Sequence, residues 1–126
     1  MRFLVVDDSA TISQVTIKNL REIGYNDIVE AAHGGEAYSK LQKGDIDFII
    51  TDWNMPNVNG LQLVTLVRTN PHLKNLPILM ATTRGRKEDV IEAVRAKINS
   101  YIVKPFTAEL LKSKIDEVIV SIIKNR

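Results

Sequence analysis

The sequence contains no cysteine, no long apolar run and little excess charge of either sign. Without cysteine there is no disulfide framework and no thiolate metal site, which fits a reducing compartment. The formal net charge is only +2, and the basic residues are scattered apart from a cluster at Arg84, Arg86 and Lys87, which argues against nucleic acid as a partner. No apolar run has the length of a membrane span or a signal peptide. We therefore expect a cytoplasmic protein with no membrane insertion.

What is present is the composition and patterning of one folded domain. The 126 residues are 44% hydrophobic and 25% charged, which are values typical of globular chains. Short apolar runs alternate with segments whose apolar residues recur at helical spacing. The predicted strands are residues 2–7, 27–31, 45–51, 78–81 and 100–103, and the predicted helices are residues 10–23, 34–41, 61–69, 86–97 and the segment after Thr107. The last helix runs almost to the end of the sequence, so we expect a single domain over residues 1–126.

Four of the predicted strands end in polar groups. Asp7 and Asp8 follow the first strand, Asp52 the third, Thr82 the fourth and Lys104 the fifth. Five strand–helix units in a row predict an α/β fold, a doubly wound parallel sheet with helices on both faces. The carboxyl ends of such strands lie along one edge, where ligands bind, so these groups should converge. Three carboxylates there would repel one another without a divalent cation, and oxygen ligands of this kind suit Mg²⁺.

Each of these residues also has an ordinary explanation when it is considered alone. Asp8 precedes Ser9 and a helix, as capping residues do, Asp52 could be a turn residue, and Lys104 could be a surface lysine. At one edge of one sheet, however, they form a coherent phosphoryl site. Asp52 is then the candidate nucleophile that forms an acyl phosphate. Lys104 would neutralise a phosphoryl oxygen, and the hydroxyl of Thr82 would bond to another.

Charge neutralisation and loop shape complete this interpretation. The attack of an anion on a phosphoryl group requires a counter-charge, which Mg²⁺ held by Asp8 and Asp52 would supply, with Asp7 acting largely through water.

Gly60 follows a turn-rich loop and is expected to relieve backbone strain there. His33 and His72 have no second histidine at ligand spacing, so both are expected to be surface residues without a ligand role.

The sequence resembles the receiver domains of two-component response regulators, and among them the single-domain chemotaxis receivers. The motifs are the aspartates described above, Trp53-Asn-Met-Pro56 after Asp52, and Lys104-Pro105-Phe106 with Tyr101 three residues before the lysine. The resemblance covers the whole chain. It implies a flavodoxin-like sheet of five parallel strands in the order 2-1-3-4-5 with five helices, and one receiver domain over residues 1–126 with no output domain.

The same resemblance implies roles for individual residues. Asp52 is the phosphoacceptor, the backbone carbonyl of Asn54 joins the three aspartates as a Mg²⁺ ligand, and the Lys104–Pro105 peptide bond is cis. Thr82 moves toward the phosphoryl group and vacates space that the ring of Tyr101 then occupies. This movement links the site to the face formed by the fourth helix, fifth strand and fifth helix.

The implied function is phosphotransfer signalling by a monomer. A sensor histidine kinase would donate the phosphoryl group, and the phosphorylated chain would control chemotaxis by binding the flagellar motor switch protein. A phosphatase is a further expected partner, although Arg84 stands where the best-known chemotaxis receiver has an acidic residue. We expect no enzyme activity beyond the chain's own phosphoryl transfer and dephosphorylation.

Three other functions would use related architecture. A phosphate sink or a shuttle to another phosphotransfer protein would need the same site. A Mg²⁺-dependent phosphohydrolase would use Asp52 on a small substrate, but the sequence shows no second acid/base near Asp52 and no cap domain. A flavin or nucleotide binder is disfavoured because carboxylates occupy the place of a glycine-rich phosphate loop.

Overall fold

Strands and helices alternate without exception in the computed structural model, which describes residues 1–125. The strands are β1 Phe3–Val6, β2 Ile28–Ala31, β3 Phe48–Thr51, β4 Ile78–Thr82 and β5 Ser100–Val103. The helices are α1 Ala10–Glu22, α2 Gly34–Leu41, α3 Gly60–Thr69, α4 Lys87–Arg95 and α5 Ala108–Lys124. All ten predicted elements are therefore present in the predicted order.

All five strands are parallel and lie in the order β2-β1-β3-β4-β5. Leu4 in β1 pairs with Val29 of β2 on one side and with Ile49 of β3 on the other. This is the doubly wound, flavodoxin-like order that the resemblance implied. The chain adds β2 on one side of β1 and β3 on the other side. A crevice therefore opens between the carboxyl ends of β1 and β3.

The apolar strands bury side chains on both faces of the sheet, as parallel sheets do. Alternate residues point in opposite directions, so Leu4 and Val6 pack against α2, α3 and α4, while Phe3 and Val5 pack against α1 and α5. Every residue of β1, β3 and β4 is buried. The resulting two-sided core fixes the strand ends, and with them the polar residues that follow.

Side-chain caps set where most of the helices begin. The side chains of Ser9, Asn59 and Thr107 each accept a hydrogen bond from the first turn of α1, α3 and α5. His33 does the same for α2, because its Nδ1 accepts from the backbone N–H of Glu36 at 3.1 Å. His33 is exposed as expected, but it also has this structural role.

Gly60 occupies the first position of α3, where the helix touches the backbone of the loop after β3. A Cβ atom on Gly60 would lie 2.2 Å from the carbonyl oxygen of Asp52 and 2.8 Å from Cα of Trp53. The predicted role of Gly60 in relieving backbone strain is wrong, because the positive φ in this loop belongs to Asn57. Gly60 is required because the helix approaches the backbone so closely.

Among residues 1–125, none of the helices combines the length and apolarity that crossing a bilayer requires.

Candidate functional site

Three carboxylates meet in the crevice where the strand order reverses. Asp7 and Asp8 directly follow β1, and Asp52 directly follows β3, its neighbour in the sheet. Each can place one carboxylate oxygen within 4.8 Å of the others. Asp7 is buried, Asp52 is partly buried and Asp8 is exposed, so the cluster runs from the sheet edge to the surface. The predicted convergence of these three residues is present in the structure.

Lys104 brings its ammonium group into this cluster from the end of β5. Its Nζ lies 2.5 Å from Oδ2 of Asp7 and 3.2 Å from Oδ2 of Asp52. The lysine side chain is only 8% exposed, and its backbone N–H donates to the carbonyl of Thr82 at 2.9 Å. The Lys104–Pro105 peptide bond is cis, as the resemblance implied. One cation is thus bonded to two carboxylates that are largely buried, where charge-assisted hydrogen bonds are strong.

The remaining charge of the site fits a divalent cation. Three carboxylates and one ammonium leave two uncompensated formal negative charges. Oδ1 of Asp7 accepts from the N–H of Ser9 at 2.9 Å, and Oδ1 of Asp52 accepts from the N–H of Trp53 at 2.6 Å. Within residues 1–125 the Asp8 carboxylate has no hydrogen bond, so its oxygens are available. Hard oxygen donors with excess negative charge suit Mg²⁺.

Thr82 and Tyr101 lie on adjacent strands beside this cluster. Thr82 ends β4, is fully buried and accepts a hydrogen bond at Oγ1 from the N–H of Arg84 at 3.4 Å. Tyr101 lies in β5, and its hydroxyl donates to the carbonyl of Arg84 at 2.6 Å. Burial raises the pKa of the Tyr101 hydroxyl above its usual value of 10.0, and the negative charge of Asp89 raises it further. The proposed switch residues are therefore bonded to the same loop residue.

Arg84 is the functional candidate whose contacts the sequence could not predict. Its Nε and Nη2 lie 3.2 and 2.9 Å from Oδ1 of Asn54, and its Cζ lies 4.2 Å from the ring centroid of Trp53. The sequence signalled only that a basic residue stands two positions after Thr82. Asn54 itself is exposed, and its backbone carbonyl as a metal ligand stays a prediction.

An apolar cavity of about 300 Å³ adjoins the lysine side of the site. Ile12 and Val15 of α1 line one wall, and Pro105 and Phe106 after β5 line the other. Val15 is 53% exposed, so this wall of the cavity is open to a partner molecule. The cavity gives a partner molecule an apolar contact next to Lys104.

Comparison with known proteins identifies similar chains. The profile described as the response regulator receiver domain matches residues 3–116. Chemotaxis protein CheY1 of Helicobacter pylori is 49% identical over 120 residues, which cover 94% of this chain and 97% of the relative. The CheY homolog of Campylobacter jejuni is 48% identical, with 94% of this chain and 92% of the relative covered. The solved structure of the chemotaxis response regulator CheY4 of Vibrio cholerae has a TM-score of 0.85 at 38% identity, covering 93% of this chain and 97% of that one.

Proposed function

Because the chain belongs to the response regulator receiver domain family, we propose that it is a stand-alone response regulator of a two-component phosphorelay. Asp52 receives the phosphoryl group from a sensor histidine kinase in a Mg²⁺-dependent reaction. The observation that carries this proposal is the Lys104 ammonium bonded to both Asp7 and Asp52 within the carboxylate cluster. The match to CheY1 covers 97% of that relative's length.

The residues have distinct tasks in the transfer. A carboxylate oxygen of Asp52 attacks phosphorus, the bond from phosphorus to the donor imidazole nitrogen breaks, and its electron pair stays on that nitrogen. Lys104 neutralises a phosphoryl oxygen, and the Thr82 hydroxyl donates a hydrogen bond to another. Asp8, Asp52 and the Asn54 carbonyl, with Asp7 largely through water, would hold Mg²⁺, which would neutralise charge between the carboxylate and the phosphoryl group. The chain thereby acts on its own phosphoryl group rather than as an enzyme on a separate substrate.

The donor is proposed to be a protein rather than a small metabolite. The cavity beside Lys104 is apolar and open to the surface, and Ile12 and Phe106 from its two walls can contact an apolar side chain of the donor domain. A small polar phosphate ester would leave this apolar space unfilled. The kinase therefore approaches across α1 and the segment after β5, next to the acceptor.

The proposed output is control of chemotaxis by binding the flagellar motor switch protein. The relatives CheY1 and CheY4 are named as chemotaxis proteins. Val94, Val103 and Leu110 on α4, β5 and α5 are 58%, 42% and 43% exposed and offer apolar contacts for a partner. We propose that the chain acts in the cytoplasm as a monomer and that a phosphatase resets it. A phosphate sink or shuttle would use the same acceptor without this output.

The first experiment follows the fluorescence of Trp53, the only tryptophan. Trp53 is 3% exposed, and its backbone N–H is bonded to Asp52, so its emission should report occupancy of the acceptor. The protein is titrated with Mg²⁺ and then with beryllofluoride, a phosphoryl mimic. A labelled peptide from the N-terminus of a flagellar motor switch protein is present in a parallel series, and Asp52→Asn is the control without an acceptor.

The outcomes separate the acceptor from the output. A fluorescence change with tighter peptide binding supports a phosphorylation-activated motor ligand. A fluorescence change without peptide binding retains the acceptor chemistry and favours a sink or shuttle. No response of the wild-type protein to either ligand, or an equal response of Asp52→Asn to beryllofluoride, would contradict the assignment of the acceptor site.

A further inference from the structure

The side chain of Arg84 connects three segments that are separate in sequence. Its Nε and Nη2 donate to Oδ1 of Asn54, two residues after the acceptor. Its Nη1 lies 3.6 Å from Oδ1 of Asp89 in the first turn of α4. Its guanidinium also covers the indole of Trp53, with 4.2 Å between Cζ and the ring centroid. A side chain that is 38% exposed is thus held in one position by directional contacts rather than by burial.

The backbone of the same residue is bonded to both proposed switch residues. The N–H of Arg84 donates to Oγ1 of Thr82, and the carbonyl of Arg84 accepts from the Tyr101 hydroxyl. The acceptor loop, residues 52–59, therefore contacts the side chain of Arg84, while Thr82 and Tyr101 contact its backbone. Arg84 is therefore the residue to which both sets are bonded.

We propose that Arg84 is a positioning residue that couples the acceptor loop to Tyr101 through its two hydrogen bonds to Asn54. This inference rests on the proposed function, because the coupling matters only if Asp52 is the acceptor. Occupancy of Asp52 changes the carboxylate that holds the N–H of Trp53 and so shifts the adjoining Asn54. The planar fork of Arg84 transmits that shift to its own carbonyl and hence to the Tyr101 hydroxyl.

Three substitutions separate this role from simple packing. Arg84→Met keeps an apolar cover over Trp53 but removes the donors and the charge. Arg84→Lys keeps the charge and a cation near the indole but lacks the planar fork that reaches Asn54 twice. Arg86→Met removes the same charge from the same loop and is the matched control, because within residues 1–125 the Arg86 side chain has no hydrogen bond or ion pair.

The experiment records two signals while Mg²⁺ and beryllofluoride are added. Trp53 fluorescence reports occupancy of the acceptor, and the ¹³Cζ NMR signal of Tyr101, assigned with Tyr101→Phe, reports the environment of its hydroxyl. In wild type and Arg86→Met we expect both signals to change. In Arg84→Met and Arg84→Lys we expect beryllofluoride affinity within about threefold of wild type, but a Tyr101 response reduced by half or more.

The possible results discriminate the inference from the proposed function. A full Tyr101 response in Arg84→Met would overturn the inference and leave the acceptor assignment intact. A full response restored by Arg84→Lys would overturn the role of the fork, because charge alone would then suffice. If neither signal of the wild-type protein responds, the proposed function fails and the coupling fails with it. Circular dichroism of each variant verifies that the chain is folded. We expect each Arg84 variant to fold, because the Arg84 side chain is 38% exposed and is not part of the core.

Discussion

The ammonium group of Lys104 is buried between two carboxylates, unlike those of the surface lysines. Its side chain and that of Asp7 are 8% and 4% exposed, and the same ammonium also bonds Asp52. Removing one partner of a buried ion pair leaves an uncompensated charge, which costs more than the pair contributes. Lys104 therefore holds two carboxylates at close range.

Lys104→Met should lower the free energy of unfolding by about 3 kcal/mol in the absence of divalent cations. The two carboxylates would then repel each other without a counter-charge. At the same Mg²⁺ concentration the variant should be stabilised more than the wild type, because Mg²⁺ replaces the missing positive charge and should bind the variant with a lower Kd. Metal at about 100 times its Kd contributes about 2.7 kcal/mol. Urea unfolding with and without Mg²⁺ measures both effects.

Lys112→Met provides the comparison for that measurement. Lys112 also bonds a carboxylate, that of Asp116, but the two side chains are 56% and 46% exposed. Water and salt screen such a pair, so its loss should change stability little. Equal destabilisation by the two substitutions would contradict the special position of Lys104.

Tyr101 should make the stability of the protein depend on pH above about 10. Its pKa in the folded protein lies above the usual value of 10.0 because of burial, and the negative charge of Asp89 acts in the same direction. The folded state thus retains the hydroxyl proton longer than the unfolded state. The contribution is complete below pH 10 and is lost as the pH rises through the folded pKa.

The difference in unfolding free energy between wild type and Tyr101→Phe isolates this contribution. We expect the difference to be constant from pH 8 to about 10 and then to fall as the wild type loses stability. Other tyrosines and lysines titrate in both proteins and cancel. A difference that stayed constant to pH 11 would show that the hydroxyl proton is not held by the fold.

At the scale of elements, the sequence predicted every strand and helix but not every boundary. An apolar run identifies the buried part of a strand but not the residue at which pairing begins. The predicted third strand began at Asp45, whereas β3 begins at Phe48. Ile46 is buried without being part of the ladder, and the N–H of Asp47 bonds to the carbonyl of Arg2 in a connection. Burial can be predicted from a local pattern, but the extent of pairing depends on the partner strand, which here starts at Phe3.

Gly60→Ala should move α3 away from the acceptor loop. The added methyl group would overlap the carbonyl oxygen of Asp52, a backbone atom that cannot rotate away. We expect a loss of about 1–3 kcal/mol in unfolding free energy, as for other overpacked sites. Trp53 emission should also change, because a Cβ at Gly60 would lie 2.8 Å from its Cα.

Gly85→Ala is the matched control for this effect. A Cβ at Gly85 would meet only the methyl groups of Val103 at 3.7 Å, which is ordinary contact. Stability and Trp53 emission should therefore stay near the wild-type values. Chemical unfolding and fluorescence of both variants test the claim, and a tolerant Gly60→Ala would show that α3 can shift without disturbing the acceptor loop.

At the scale of the whole molecule, the sequence could predict which residues converge but not how they are connected. Asp7, Asp52 and Lys104 follow strands of one parallel sheet, so topology alone brings them to one edge. The Arg84 bond to Asn54 spans 30 residues and depends on the direction of a long side chain in a loop. No periodicity encodes that direction. The contacts of Arg84 are therefore visible only in the assembled fold.

If the acceptor site is coupled to the partner face, which is formed by α4, β5 and α5, each ligand must tighten binding of the other, and linkage requires the two factors to be equal. Beryllofluoride should tighten binding of the motor-switch peptide by some factor, within a usual range of about 5- to 150-fold, and the peptide should tighten beryllofluoride binding by the same factor. Titrations of each ligand with and without the other measure the two factors. A factor of one in both directions would mean that the two sites are not coupled.

Thr82→Ala should reduce both factors together toward one while the acceptor still binds beryllofluoride. The buried hydroxyl of Thr82 is bonded to the loop that also holds Tyr101, so its loss should uncouple the two sites without removing a carboxylate. Thr83→Ala is the matched control, since Thr83 is the next residue and is exposed. If Thr82→Ala keeps the wild-type factors, the signal reaches the partner face without Thr82. A loss shared equally by Thr83→Ala would instead point to a general disturbance of the loop.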